Sequence, residues 1–117
     1  NNLLLAITMS GLGEILKVAN NENLDLKKLY DVLSTSTASC WALNNYCPIK
    51  GVGEITPADK NFEPGFATSL MFKDLGIALD SAKNLNLEIS NLVFKKYEDM
   101  IKQKMGKLDF SAIVNNV

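Results

Sequence analysis

The sequence predicts an all-α domain. Three observations carry that prediction. Apolar residues recur at helical spacing through most of the chain, no run alternates apolar and polar as a half-buried strand does, and residues suited to helix caps stand at the breaks. About six helices and one long ordered loop account for the pattern. At 117 residues the chain suits one domain spanning 1–117, able to bury roughly two thirds of its unfolded surface.

The first helix runs from the start to about Asn20. Leu4, Ile7, Gly11, Leu12, Ile15, Val18 and Ala19 mark its apolar side, and Ser10, Glu14 and Lys17 its polar stripe. Gly11 and Gly13 follow no strand, so they form no dinucleotide fingerprint and read as sites of close helix packing. Asn20 to Asn23 is a polar break. Asp25 caps a short helix whose apolar face is Leu26, Leu29, Tyr30 and Leu33. After the break at Thr35, Ser36 or Thr37 caps a third helix through Trp41 to about Tyr46.

Residues 47 to 66 lose all periodicity and hold Pro48, Pro57 and Pro64 with Gly51, Gly53 and Gly65. Phe62 and Phe66 argue that this loop is ordered and anchored on the core. A fourth helix starts at Ala67 or Thr68, buries Met71, Leu75, Ala78, Ala82 and Leu85, and ends near Asn84-Leu85-Asn86. Ser90 caps a fifth, carrying Val93, Phe94, Tyr97 and Met100, which stops near Gly106. Asp109 caps a last turn or two with Phe110, Ile113 and Val114.

Composition excludes several function classes. The formal net charge is −1, which favours neither nucleic acid nor an anionic membrane. No stretch reaches the roughly 18 consecutive apolar residues of a bilayer span. All 12 basic residues are lysine, so planar bidentate capture of a carboxylate or phosphate by arginine is excluded. Histidine is also absent, which removes the usual general base and the commonest metal ligand; no metal site is expected. Cys40 and Cys47 stand seven apart, about 10 Å along a helix and too far for a disulfide. They read as reduced, mostly buried thiols, which favours an intracellular compartment.

No catalytic constellation closes within the chain. The suggestive run is Gly65-Phe66 followed by Leu70-Met71-Phe72-Lys73-Asp74-Leu75-Gly76. Lys73 lies one turn from Leu70 and Ile77, at the edge of an apolar face. Its ammonium either reaches a phosphate or a ligand hydroxyl, or the side chain simply snorkels over apolar surface. Asp74 points elsewhere on the helix, so an ion pair between the two is not required.

With Ser39-Cys40-Trp41, Tyr46-x-Pro48, Gly51-Val52 and Pro57-Ala58, these residues resemble the C-terminal helical domain of the β-hydroxyacid dehydrogenases, most closely the 3-hydroxyisobutyrate dehydrogenase branch. The resemblance spans essentially the whole chain. It implies a helical domain of the 6-phosphogluconate dehydrogenase-like type, and a separate N-terminal Rossmann domain, outside these residues, that binds NAD. It further implies a Lys-x-x-Asn-Asn motif whose last two residues are Asn1 and Asn2. The catalytic lysine then lies four residues before Asn2, and no catalytic residue falls within 1–117. Asn2 takes a substrate-binding role and Lys73 a cofactor-binding one. Phe66 is either a cofactor-side aromatic or a loop anchor, and Cys40 and Trp41 are core residues. The implied reaction is NAD-dependent oxidation of 3-hydroxyisobutyrate to methylmalonate semialdehyde in valine breakdown, by a homodimer or homotetramer. The implied location is the mitochondrial matrix in a eukaryote or the cytoplasm in a bacterium. Sister enzymes acting on tartronate semialdehyde, succinic semialdehyde or glyoxylate, and a non-catalytic oligomerisation or binding module, are the alternatives.

Overall fold

The computed structural model describes residues 1–117 and contains α1 (Asn2–Asn21), α2 (Leu26–Ser34), α3 (Trp41–Asn45), α4 (Thr68–Ser81) and α5 (Glu88–Lys102). Two 3₁₀ segments complete it, Pro57–Lys60 inside the long loop and Phe110–Asn115 at the end. There is no strand; one isolated β-bridge joins Ala67 to Asp109. The sixth helix of the sequence reading is therefore a 3₁₀ turn, and its cap is as expected: the Asp109 carboxylate accepts from the Ser111 amide.

The helix α1 is the axis of the domain and packs against α3, α4, α5 and the terminal turn. Twenty residues of its composition are long enough to cross a bilayer, yet one face is committed to this packing. That face is Ala6, Met9, Ser10, Gly13 and Ala19, while Leu4, Ile15 and Val18 stay exposed. The buried face thus lies nearly half a turn from the expected stripe, although Ala19 is buried as expected and Ile7 and Leu12 pack half-buried against the core. Close approach decides it: a Cβ on Gly13 would lie 2.8 Å from the Val114 Cα, so small residues must face the core. Ser10 is buried at little cost because its hydroxyl donates to the Ala6 carbonyl at 2.8 Å.

The main core gathers Met9, Met71, Leu75, Tyr97, Met100, Phe110 and Ile113. Each such side chain stabilises the fold by about 1.5–3 kcal/mol when fully buried. A smaller core under α2 and α3 holds Leu43, Cys47, Ile49 and Val52, with Leu26, Tyr30 and Leu33 against it. Asp25 caps α2, as expected.

Other expectations are corrected. Helix α3 begins at Trp41 with Cys40 as its N-cap, so Ser36 and Thr37 lie outside it in a turn. Ser90 sits buried inside α5 instead of capping it. Helix α4 stops at Ser81, which leaves Leu85 exposed in the connection. The end of α5 is closed by Lys104 in the left-handed region (φ 63°), with the Met105 amide bonded to the Met100 carbonyl, not by Gly106. Asn23 (φ 54°) ends α1 the same way.

The loop between α3 and α4 is ordered, as Phe62 and Phe66 implied; both pack on the main core. Its 3₁₀ segment is held by a capping box of Thr56 and Asp59. The Asp59 carboxylate also accepts from the Gly51 amide at 2.7 Å.

Candidate functional site

Asn2 opens α1, and Lys73 and Asp74 lie midway along α4. These two helices pack side by side, which brings residues 72 positions apart into contact. The Asn2 Nδ2 donates to Asp74 Oδ2 at 2.7 Å. The Lys73 Nζ meets the other oxygen, Oδ1, at 3.0 Å. Asn1 Nδ2 donates to Asn2 Oδ1 at 3.1 Å. The expectation that Asp74 points away from Lys73 is therefore corrected. On one helix, neighbours do not share a face, but the long lysine side chain bends back to the carboxylate that Asn2 already orients.

The arrangement has a defined electrostatic sense. The Lys73 ammonium, then the Asn2 amide, hold the Asp74 carboxyl below the usual carboxylate range. Asp74 is thus an anion at neutral pH, suited to accept hydrogen bonds and not to donate a proton. Because that anion must receive an N–H, it dictates how the Asn2 amide is turned. Lys73 remains 60% exposed at its side chain, so its charge is only partly committed.

Two depressions flank the start of α1. One, about 340 Å³, is lined by Asn1, Asn2, Leu3, Asp74, Ile77 and Ala78. The other, about 450 Å³, is lined by Asn1, Leu4, Leu5, Thr8, Cys40, Trp41 and Ala42. Trp41 is 57% exposed there, so its expected core role is corrected. Its indole stacks on Tyr46 with centroids 5.6 Å apart. Tyr46 in turn stacks on Phe110, and Phe66 meets Phe110 edge-on. Cys40 is half-buried and Cys47 buried, both as free thiols.

Of the three residues singled out from sequence, the hydrogen-bond network joins Asn2 and Lys73 and leaves Phe66 outside. Phe66 is half-buried at the entry to α4, its amide donating to Asp109 Oδ2 at 2.9 Å. Sequence reasoning missed Asp74 and Trp41. The signal for Asp74 was its place beside Lys73, but its value depends on α1 lying against α4. An aromatic in an apolar run defaults to core, which hid Trp41.

A nicotinamide dinucleotide presents phosphates, hydroxyls and a flat ring. The exposed Lys73 ammonium suits the anionic or hydroxyl part, and the edge of the Phe66 ring suits the flat part. No strand followed by a glycine-rich turn is present to cradle a pyrophosphate. The chemistry of Lys73 and Phe66 suits parts of such a molecule.

A family model described as the NAD-binding domain of NADP-dependent 3-hydroxyisobutyrate dehydrogenase matches residues 1–117. Among curated relatives, the mitochondrial 3-hydroxyisobutyrate dehydrogenase of Mus musculus is 38% identical over 97% of this chain and 34% of its own length. The probable mitochondrial enzyme of Dictyostelium discoideum is 37% identical over 97% of this chain and 36% of its own length. The solved Mycobacterium tuberculosis 3-hydroxyisobutyrate dehydrogenase with L-serine superposes with a TM-score of 0.91 and 33% identity, over 98% of this chain and 40% of that one. The chain spans little more than a third of the length of the curated relatives it matches.

Proposed function

This chain belongs to the family of 3-hydroxyisobutyrate dehydrogenase NAD-binding domains, and on that premise we propose that it forms one wall of the substrate and cofactor cleft in an NAD-dependent 3-hydroxyisobutyrate dehydrogenase. The observation that carries the reading is the Asn2–Asp74–Lys73 network. Two residues given different roles by resemblance meet on one carboxylate, which supports placing both in a single cleft.

The reaction is oxidation of the primary alcohol of 3-hydroxyisobutyrate to methylmalonate semialdehyde, a step of valine breakdown. A nicotinamide held beside Lys73 and Phe66 would supply the hydride acceptor for the hydroxyl-bearing carbon. The hydroxyl proton leaves to a lysine one helical turn before Asn2, in the Lys-x-x-Asn-Asn motif. Asn2 orients the substrate, its own amide fixed by Asp74. Lys73 offers its ammonium to the cofactor side, and the Phe66 ring lies against that side. The indole of Trp41 lines the adjoining depression beyond Asn1 and forms the apolar flank of the cleft. Substrate of this class suits the comparison, since L-serine, named with the Mycobacterium tuberculosis enzyme, is also a β-hydroxy acid. The rest of the assignment follows the same premise: a Rossmann domain preceding this one, a 6-phosphogluconate dehydrogenase-like helical fold, a homodimer or homotetramer, and a mitochondrial matrix or bacterial cytoplasmic location.

The test is steady-state kinetics of this domain joined to its nucleotide-binding domain, on a panel of small β-hydroxyacids with NAD and NADP. The highest kcat/KM is expected for 3-hydroxyisobutyrate with NAD; preference for tartronate semialdehyde, succinic semialdehyde or glyoxylate reduction would move the assignment to a sister enzyme. Asn2→Ala is expected to lower kcat by about 10- to 100-fold, and Lys73→Ala to raise KM for the dinucleotide by about tenfold. Unchanged constants for both would refute the site. The 117-residue chain alone is expected to turn nothing over.

A further inference from the structure

We propose that Asp109 is a positioning residue for this site: one buried carboxylate sets the aromatic wall by holding the Tyr46 hydroxyl on one side and the Gly65–Phe66 backbone on the other. The inference rests on reading Trp41 and Phe66 as walls of the cleft.

Asp109 is 0% exposed and is the one charged side chain in the buried set. No ion pair of the domain involves it. Burying an uncompensated carboxylate is costly. Here hydrogen bonds alone offset that cost. Oδ1 accepts from the Ser111 amide at 3.0 Å and the Ser111 hydroxyl at 2.6 Å. Oδ2 accepts from the Tyr46 hydroxyl, the Gly65 amide and the Phe66 amide, each at 2.9 Å.

The two oxygens do different work. Oδ1 caps the terminal 3₁₀ turn, and any cap residue needs no more than that. Oδ2 gathers donors 63, 44 and 43 residues away, from the end of α3 and the end of the long loop. Those donors carry the two arms of the wall. Tyr46 is the platform on which Trp41 stacks, and the Phe66 ring leans on Phe110, the residue next to Asp109. The geometry has also selected its neighbour: a Cβ on Gly65 would fall 2.7 Å from the Tyr46 hydroxyl oxygen, so only glycine lets both donors reach one oxygen.

All five partners are donors, so Asp109→Asn cannot satisfy both sets; its NH₂ must face N–H or O–H groups on one side. In the folded variant, checked by unchanged helical circular dichroism, amide exchange at Gly65 and Phe66 is expected to quicken by about tenfold or more. Acrylamide quenching of Trp41, the sole tryptophan, is expected to rise. Joined to the nucleotide-binding domain, the variant is expected to raise KM for the hydroxyacid about tenfold with a much smaller fall in kcat. Tyr46→Phe keeps the ring and removes one donor; it is expected to act in the same direction, more weakly, and to add nothing to Asp109→Asn. Wild-type exchange and quenching in a folded Asp109→Asn protein would overturn the proposal. If that variant fails to fold, wild-type exchange at Gly65 and Phe66 in Tyr46→Phe would do so. Exchange and quenching need no substrate, so they stand or fall separately from the dehydrogenase assignment: altered exchange without turnover of any hydroxyacid would sink the assignment and keep the positioning role.

Discussion

At Asp74, one carboxylate turns an asparagine amide and holds a lysine ammonium, and its charge is what makes both bonds strong. Its depressed pKa fixes the pH sense. A carboxyl whose folded value lies below its unfolded value stabilises above the usual range, and that contribution is lost as pH falls through the folded value. The Asn2–Asp74–Lys73 network is therefore expected to persist at neutral pH and to loosen only below about pH 4, read by NMR from the Asn2 side-chain amide; a transition near neutrality would contradict it. The partner is partly exposed, so added salt should weaken the Lys73 arm more than the Asn2 arm. At the alkaline end, burial first and then the Asp109 carboxylate push both Tyr46 and Tyr97 above their ordinary value near 10.0. Unfolded tyrosine ionises there and these two do not. Stability is full below that value and falls as pH rises past it. Absorbance titration at alkaline pH should show both hydroxyls silent until the fold melts.

Helix α1 shows what an element can hide. Its two glycines look alike in sequence and differ in setting. A Cβ on Gly13 would sit 2.6 Å from Val117 and 2.8 Å from the Val114 backbone, whereas one on Gly11 would meet nothing within 4 Å. Gly13→Ala should therefore cost about 1–3 kcal/mol by overpacking, and Gly11→Ala should stabilise by about 0.5–1 kcal/mol through helix propensity alone. Urea melts of the two variants check both signs. The stripe the sequence predicts includes Leu4, Gly11, Ile15 and Val18, all of which are exposed. Burial instead follows the face of Ala6, Met9, Ser10 and Gly13, where small residues let the terminal turn approach and Met9 fills the core.

The whole molecule has two cores of unequal weight. Helix α2 buries no residue completely and rests on the smaller one. Helices α1, α4 and α5 share the larger. Local opening follows buried apolar contact, so amide exchange should be fastest in α2 and slowest around Met71, Leu75, Tyr97 and Met100. Equal protection in α2 and α5 would show that the domain opens only as one unit. The long loop belongs with the larger core despite its irregular backbone, because Phe62, Phe66 and Asp109 fasten it there.

Helix period, cap residues and breakers were enough to place the all-α class, all five α-helices, the Asp25 and Asp109 caps, and an ordered loop anchored by Phe62 and Phe66. These are properties of local spacing and of side chains acting on their own backbone, so the linear chain carries them. The family, too, was legible, in the Cys40-Trp41 pair and the run from Leu70 to Gly76. Which face of α1 is inside, the exposure of Trp41, and the meeting of Asn2 with Lys73 through Asp74 were not. Each depends on which helix lies against which and at what distance, and on contacts between residues tens of positions apart. Only the packed structure sets those distances, and it is there that Asp74 meets Asn2 and Asp109 meets Tyr46 and the Gly65–Phe66 backbone.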